Sequence, residues 1–177
     1  MEKVSRKTTK LCSFYVSDWH LTTTILPYIN SKIDEKTKVI TILENNIEEN
    51  IKVLMKKLNL KNKNEILRIR WTSVDSKKYT DIENILNTEI TKNAENIILI
   101  SGNKNYIEII NNNINKWLEK ANIKSIKIID FFEVTEFNNN IVNILDGHDK
   151  ILNTSGEREI SEVFDGYQDF KNVANNN

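Results

Sequence analysis

Cysteine and histidine are the residues from which nucleophiles and zinc sites are most often built, and the chain contains one cysteine and two histidines. Cys12, His20 and His148 show neither of the paired spacings, CxxC or HExxH, that place two ligands on one metal ion. Cys12 lies in an apolar run, which favours packing over a nucleophilic role. The motif 146–149 (DGHD) resembles a metal-binding turn but is more typical of a helix end, with Gly147 in a left-handed cap and His148 beside the last carbonyls. We therefore predict no catalytic residue, no metal and no enzyme activity.

Phosphate binding needs glycines at defined spacings, because only bare backbone lets successive N–H groups close around a phosphate. The four glycines of the chain, Gly102, Gly147, Gly156 and Gly166, have neither the P-loop spacing nor the dinucleotide spacing. The turn where such a loop would lie has the sequence SDWH (17–20), with large side chains in place of bare glycine backbone. We predict no cofactor, and a residual nucleotide site is an alternative that titration with ATP and Mg²⁺ tests.

Aromatic side chains provide the remaining chemical signal, because several follow predicted strands at their carboxyl ends. Ligands of open parallel sheets bind beyond those ends. Six residues there predict a pocket for a small, weakly polar ligand, with His20 or Ser101 forming the orienting hydrogen bond: Tyr15, Trp19, His20, Trp71, Ser101 and Phe132. For Tyr15, Trp71 and one of Phe131 and Phe132 the alternative is a place in the core, whereas Trp19 lies in a turn, where packing less often demands a large ring.

The elements that must position these residues are short Ile, Val and Leu runs alternating with apolar stripes at helical spacing. This order predicts an α/β fold with a mostly parallel central sheet and helices on both faces. Strands are predicted at 11–16, 38–43, 66–72, 96–101, 126–134 and 150–153, and helices near 18–33, 47–58, 81–90, 107–118 and 137–145. We expect Asp18 to cap the first helix, Pro27 to kink or break it, and 97–100 to form a strand buried on both faces.

The end of the chain predicts one further amphipathic helix, at 157–170. Four apolar residues fall there at i, i+3, i+4 and i+7: Ile160, Val163, Phe164 and Tyr167. We expect a partner protein to dock on this face, unless it belongs to the core. The predicted organisation is a flexible basic segment at 1–9, one α/β domain at 10–155, and the helix with a frayed acidic tail at 156–177.

The composition excludes several classes of protein. Lys and Arg number 25 and Asp and Glu also number 25, so the net charge of +0 argues against bulk electrostatic binding to nucleic acid or membrane. No run approaches the roughly 18 apolar residues of a membrane span, and no secretory signal is recognisable. A single cysteine allows no internal disulfide. We therefore expect a cytoplasmic protein.

Three stretches resemble the MEDS domain, a sensory module of methanogens and methylotrophs. They are 11–15 (LCSFY), 25–29 (ILPYI) with 38–42 (KVITI), and 130–137 (DFFEVTEF) with 144–152 (ILDGHDKIL). The resemblance covers about residues 10–155. It implies a degenerate RecA/KaiC-like α/β fold without a P-loop, and a regulatory domain that senses small hydrocarbon-like molecules.

Residues and resemblance together predict a non-catalytic sensor domain. A small hydrophobic ligand binds at the carboxyl edge of the sheet, and the signal passes to a regulatory protein, a histidine kinase or a transcription factor. The alternative is a ligand-independent protein–protein interaction module, an antagonist or adaptor that acts through the tail helix or a homodimer surface. We expect no direct contact with nucleic acid or membrane. Truncation at Gly156 distinguishes an interface from a core role of the tail.

Overall fold

The computed structural model describes residues 5–134 and 141–164, which form an α/β fold around a six-stranded sheet. The strands are β1 (Lys7–Tyr15), β2 (Thr37–Leu43), β3 (Glu95–Gly102), β4 (Ser125–Glu133), β5 (Lys150–Asn153) and β6 (Gly156–Arg158). The helices are α1 (Asp18–Lys32), α2 (Glu48–Lys57), α3 (Lys63–Arg68), α4 (Tyr79–Glu89), α5 (Lys104–Lys120), α6 (Ile141–Asp146) and α7 (Ile160–Val163). The predicted fold class is confirmed.

The sheet is parallel except at one edge. Its strand order is β2-β3-β4-β1-β5-β6, and every neighbouring pair is parallel except β5 and β6, which form an antiparallel hairpin. Parallel neighbours need long crossover connections, which the helices supply. The carboxyl ends of β1 and β4 therefore lie side by side, with Tyr15 opposite Glu133 and Cys12 opposite Asp130.

Alternate strand residues enter two hydrophobic cores, one on each face of the sheet. Leu99 and Ile129 pack with residues of α1, α2 and α3 on what we call the α1 face. Ile98 and Ile128 pack with residues of α4, α5 and α6 on the α5 face. Residues 97–100 of β3 are all buried, so the prediction of a strand covered on both faces is confirmed.

The third predicted strand, 66–72, is wrong. Helix α3 covers its beginning, and the chain then runs extended beside β2, joined to that strand by an isolated bridge between Leu43 and Ser73. Side-chain bonds replace most of a strand ladder here: the Arg70 guanidinium donates to the Thr41 carbonyl at 2.8 Å, and the Thr41 hydroxyl donates to the Arg70 carbonyl. The alternating apolar pattern arises because Ile66 of α3 and the extended segment enter the same core.

Helix α1 differs from the prediction at its start and at its proline. Ser17, not Asp18, caps the helix, and its Oγ accepts the N–H of His20 at 3.1 Å. The helix continues through Pro27 without a break, and the residues on both sides of the proline are buried against the sheet. Tertiary packing therefore outweighs the hydrogen bond that the proline removes.

The predicted tail helix does not begin at 157, because strand β6 occupies that position. Gly156 pairs with Asn153 and has φ +108°, a conformation that glycine adopts easily, so the chain turns back into a hairpin. The described part of the predicted range 157–170 contains the four-residue helix α7, which does not confirm an amphipathic helix over that range. Residues 165–177 lie outside the described residues, as do 137–140 of the predicted helix 137–145. Among the residues described, no helix has the length and apolar character needed to cross a membrane.

Candidate functional site

The structure does not bring the six predicted ligand residues into one pocket. Tyr15 and Trp71 are buried in the core of the α1 face, and the Trp71 indole N–H donates to the Ile66 carbonyl at 2.9 Å. Phe132 is buried on the opposite face, against α5 and α6. Neighbouring positions of a strand point to opposite sides of the sheet, and Phe132 pairs in register with Phe14 rather than Tyr15. The core alternative is therefore the one observed for these three rings.

The other three residues also lie apart. Trp19 is 49% exposed at the start of α1. His20 Nδ1 accepts the N–H of Val16 at 3.1 Å, so this ring caps a turn. Ser101 is buried near the end of β3, and its carbonyl accepts the N–H of Glu44 at 2.9 Å.

The predicted partner surface is divided between core and solvent. Ile160 is buried in the core of the α5 face, and Phe164 packs against the same core, edge-on to Phe14 with ring centroids 6.4 Å apart. Val163 is 39% exposed. Tyr167 lies outside the described residues. Ile160 and Phe164 therefore stabilise the domain, which contradicts their placement on a free surface.

A groove of about 380 Å³ opens on the α5 face, and it contains the polar side chains with the most unusual surroundings. Helix α5, strand β4, the start of β1 and the α6–β5 turn (147–149) line it. Its floor holds Asp130, His148 and Asn111, and Phe132 is the one predicted ligand residue on its wall. Asp130 is only 1% exposed, in a strand whose neighbouring residues are apolar.

Asp130 and His148 form a buried pair. Asp130 Oδ2 lies 2.7 Å from His148 Nε2, and His148 Nδ1 lies 2.5 Å from the carbonyl oxygen of Ile144. A carbonyl only accepts, so Nδ1 carries a proton, and a second proton lies between the imidazole and the carboxylate. The imidazole ring is thus held between the Asp130 side chain and the C-terminus of α6, and one proton is shared within the Asp130–His148 pair. The predicted helix-end position of His148 is confirmed, whereas Gly147 is not left-handed.

Asn111 completes the floor and leaves one acceptor unused. Its Nδ2 donates to Asp130 Oδ1 at 2.9 Å and to the Ile107 carbonyl at 3.0 Å. Both partners are acceptors, which fixes the orientation of the amide, because a flip would set oxygen against oxygen. The residue is 8% exposed, and its Oδ1 is buried with no hydrogen-bond partner within 5–134 and 141–164. Such a group costs about 1–3 kcal/mol unless a donor reaches it.

Lys10 brings a further positive charge to this floor. Its Nζ lies 3.7 Å from Asp130 Oδ2, and the lysine side chain is partly exposed. Two backbone bonds hold the residue: its N–H donates to Asp149 Oδ2 at 2.8 Å, and its carbonyl accepts the Asp149 N–H at 2.7 Å. The backbone of Lys10 in β1 is thereby joined to the α6–β5 turn.

The reactive side chains of the groove and of the neighbouring part of β1 are engaged or protonated. Both ring nitrogens of His148 face acceptors. Burial first, and then the negative charge of Asp130, raise the pKa of the Cys12 thiol to about 12, so the thiol stays protonated at neutral pH. No group of three metal-ligating side chains occurs in the described part of the chain.

The remaining nucleotide alternative meets an obstacle at the N-terminus of α5, where a phosphate would be expected to bind. Glu44 Oε2 already accepts the N–H of Asn103 at 2.7 Å, and Oε1 accepts its side-chain amide at 3.1 Å. A Cβ on Gly102 would lie 2.4 Å from Glu44 Oε2, so the carboxylate fits only because this residue is glycine. A phosphate here would have to displace the protein's own carboxylate.

The sequence did not predict that Asp130, His148 and Asn111 form the floor of a groove. A charged residue in the middle of the otherwise apolar run 128–132 (IIDFF) is the signal that would have identified Asp130. His148 was recognised only as a helix-end residue, and nothing in the sequence marks Asn111 among its many asparagines.

Fold and groove together define a class, an α/β domain with a mostly parallel sheet and a groove whose floor is a buried Asp–His–Asn cluster. No family model, no curated protein and no solved structure matches the chain. The resemblance to the MEDS domain therefore stays a prediction from its motifs.

Proposed function

We propose that the protein is a non-catalytic regulatory domain that binds a small molecule in the groove on its α5 face and passes the signal to a partner protein. The observation that carries the proposal is the Oδ1 of Asn111, a buried acceptor to which none of the described residues donates, in a side chain that lines the groove. Buried polar groups in proteins are almost always hydrogen-bonded, so an unused one beside a cavity favours a ligand that donates to it.

The engaged state of the reactive groups supports binding rather than catalysis. A general base needs a free nitrogen or oxygen within reach of substrate, and the His148 ring offers none. A nucleophilic cysteine needs a lowered pKa, and that of Cys12 is raised.

The α6–β5 turn is the element that we propose to carry the signal. His148 lies in this turn and connects it to β4 through Asp130 and to α6 through Ile144. A ligand shifts such an element only by binding two of its positions unequally. The regulatory partner that we propose is a histidine kinase or a transcription factor, within a RecA-like sensory architecture. The ligand-independent alternative has less support, because Ile160 and Phe164 pack on the core.

A fragment screen by saturation-transfer NMR tests the proposal. Fragments that bind the wild-type chain should lose most of their signal with Asn111→Leu, and should keep it with Asn93→Leu, a change at an exposed position outside the groove. Bound fragments should also shift the backbone amides of Gly147 and His148 in the wild-type chain. Equal binding by both variants, with no shift in the α6–β5 turn, contradicts the proposal. The amide shifts also decide the question if Asn111→Leu fails to fold.

A further inference from the structure

We propose that the groove selects a small carboxylate that carries a hydroxyl group beside the acid and an apolar body, the chemistry of an aryl-substituted 2-hydroxy acid. The inference rests on the proposed function, because it names the ligand class of the same groove. Three features of the lining support it: an unused acceptor, an unbalanced cation and an apolar wall.

The unused acceptor requires a donor on the ligand. Asn111 Oδ1 accepts a hydrogen bond, and the other end of this amide is fixed by Asp130 and Ile107. A hydroxyl group meets this need without adding charge. An ammonium group would also donate, but it would bring a second positive charge close to Lys10 and His148.

The unbalanced cation requires an anion. The ionisable side chains lining the groove are Lys10, Lys104, Glu108, Asp130 and His148. Glu108 lies 3.9 Å from the Lys104 ammonium, and Asp130 shares a proton with His148, so that this pair has no net charge. Within the described part of the chain, the ion pair of Lys10 is with Asp130 alone, at 3.7 Å, and that carboxylate oxygen already accepts a shorter hydrogen bond. A ligand carboxylate balances this charge, and Lys10 lies beside the same Asp130 carboxylate that Asn111 contacts.

The apolar wall receives the body of the ligand. Ile107 of α5, Phe132 of β4 and Ile144 of α6 line the groove together with its polar floor. A volume of about 380 Å³ is at the small end of ligand sites and accommodates a single ring with a short acid chain.

Three matched compounds test the inference by calorimetric titration of the full chain at pH 7. 3-Phenyllactate carries both polar groups, 3-phenylpropionate lacks the hydroxyl, and 3-phenyllactamide lacks the charge. We expect 3-phenyllactate to bind about tenfold more tightly than either analogue, the worth of one hydrogen bond or one partly exposed charge. Asn111→Leu should abolish the preference for the hydroxyl, and Lys10→Met the preference for the acid. Lys92→Met, at an exposed position outside the groove, should leave both preferences unchanged.

The outcomes separate this inference from the proposed function. Equal affinity for the three compounds, or preferences that survive Asn111→Leu and Lys10→Met, overturns the ligand class. If none of the three binds while other fragments bind in an Asn111-dependent way, the ligand class fails and the proposed function stands. If no fragment depends on Asn111, both fail. Where a variant does not fold, the wild-type side-chain amide resonance of Asn111 decides, because 3-phenyllactate should shift it and 3-phenylpropionate should not.

Discussion

Asp130→Ala is the perturbation that most directly tests the buried cluster. The carboxylate is 1% exposed and accepts bonds from Asn111 Nδ2 at 2.9 Å and His148 Nε2 at 2.7 Å. Alanine removes the acceptor of one Asn111 N–H and the buried partner of His148 Nε2, at about 1–3 kcal/mol each, while the other Asn111 N–H still donates to the Ile107 carbonyl. We expect a loss of about 3–5 kcal/mol in the free energy of unfolding. The free energy of unfolding of a whole domain is about 5–15 kcal/mol, so this loss is a large part of it. Because each kcal/mol lowers the melting temperature of a chain of this size by about 2–4 °C, the melting temperature should fall by about 6–20 °C.

Urea unfolding followed by circular dichroism measures this loss, with Lys52→Ala as the control. Lys52 forms two ion pairs, with Glu48 at 3.4 Å and Glu49 at 3.7 Å, but all three side chains are well exposed. Exposed pairs contribute little, so Lys52→Ala should change the free energy of unfolding by about 0.5 kcal/mol or less. The contrast between the two variants then reports burial rather than the mere loss of an ion pair.

A double-mutant cycle with His148→Ala supplies the result that refutes the reasoning. A charge-assisted buried bond predicts a coupling energy of about 1.5–3 kcal/mol between Asp130 and His148. Losses that add within about 0.5 kcal/mol, or an Asp130→Ala variant that loses less than about 1 kcal/mol, show that the pair does not hold the floor together.

Three further predictions concern other parts of the molecule. Gly102→Ala should lower the free energy of unfolding by about 1–3 kcal/mol because its Cβ enters the space of a hydrogen-bonded carboxylate, whereas Gly147→Ala, with no neighbour closer than 3.7 Å, should stay within about 0.5 kcal/mol in urea titrations. Ellman's reagent should label Cys12 slowly in the native chain and rapidly in urea, since a pKa of about 12 leaves on the order of one thiol in ten thousand ionised at pH 8, and fast native labelling contradicts this. Burial opposes ionisation of Glu157, but hydrogen bonds, first that from Lys127, lower its pKa. A group whose pKa is lowered on folding stabilises the folded state at pH values above its pKa in the unfolded chain, about 4.3, and this contribution is lost as the pH falls through its pKa in the folded chain. The difference in free energy of unfolding between the wild type and Glu157→Gln should therefore be present at pH 7 and should shrink below about pH 4.3 in urea titrations.

The layered fold could be predicted because apolar residues recur along the sequence with the periods of strands and helices. Residues 97–100 are apolar at every position, as a parallel strand covered on both faces requires, and the structure places them in β3. The segment 66–72 has an equally strand-like alternation, but its pattern reflects a helix and an extended segment that share one core. Local pattern cannot distinguish these cases, because the Arg70 and Thr41 bonds that decide between them join positions 29 residues apart.

The candidate site was harder to predict than the fold because the faces of its residues depend on the register of the strands. Tyr15 and Phe132 both stand near strand ends, yet they face opposite cores, since β1 and β4 pair Phe14 with Phe132. A shift of one residue in that pairing would reverse the faces, and nothing local in the sequence specifies it. Asp130 carries a visible signal, a carboxylate inside an apolar run, but its partners Asn111 and His148 come from elements that only the folded chain brings together.

The cost of the Asp130 cluster argues that it is kept for binding rather than for stability. Replacing a buried ion pair by apolar residues of similar volume is often neutral or stabilising by about 1–4 kcal/mol, so a chain selected for stability alone gains nothing from Asp130 and His148 here. The unused Asn111 acceptor adds a further cost that a hydrophobic side chain would avoid. Among the described residues, Arg6 Nε and Arg70 Nε are also buried without a partner, but each of these guanidinium groups donates hydrogen bonds through its other nitrogens, whereas the Asn111 oxygen is an acceptor that forms none. A buried acceptor that forms no hydrogen bond within the described residues, in a side chain that lines a groove, is the physical basis for assigning the groove to a ligand.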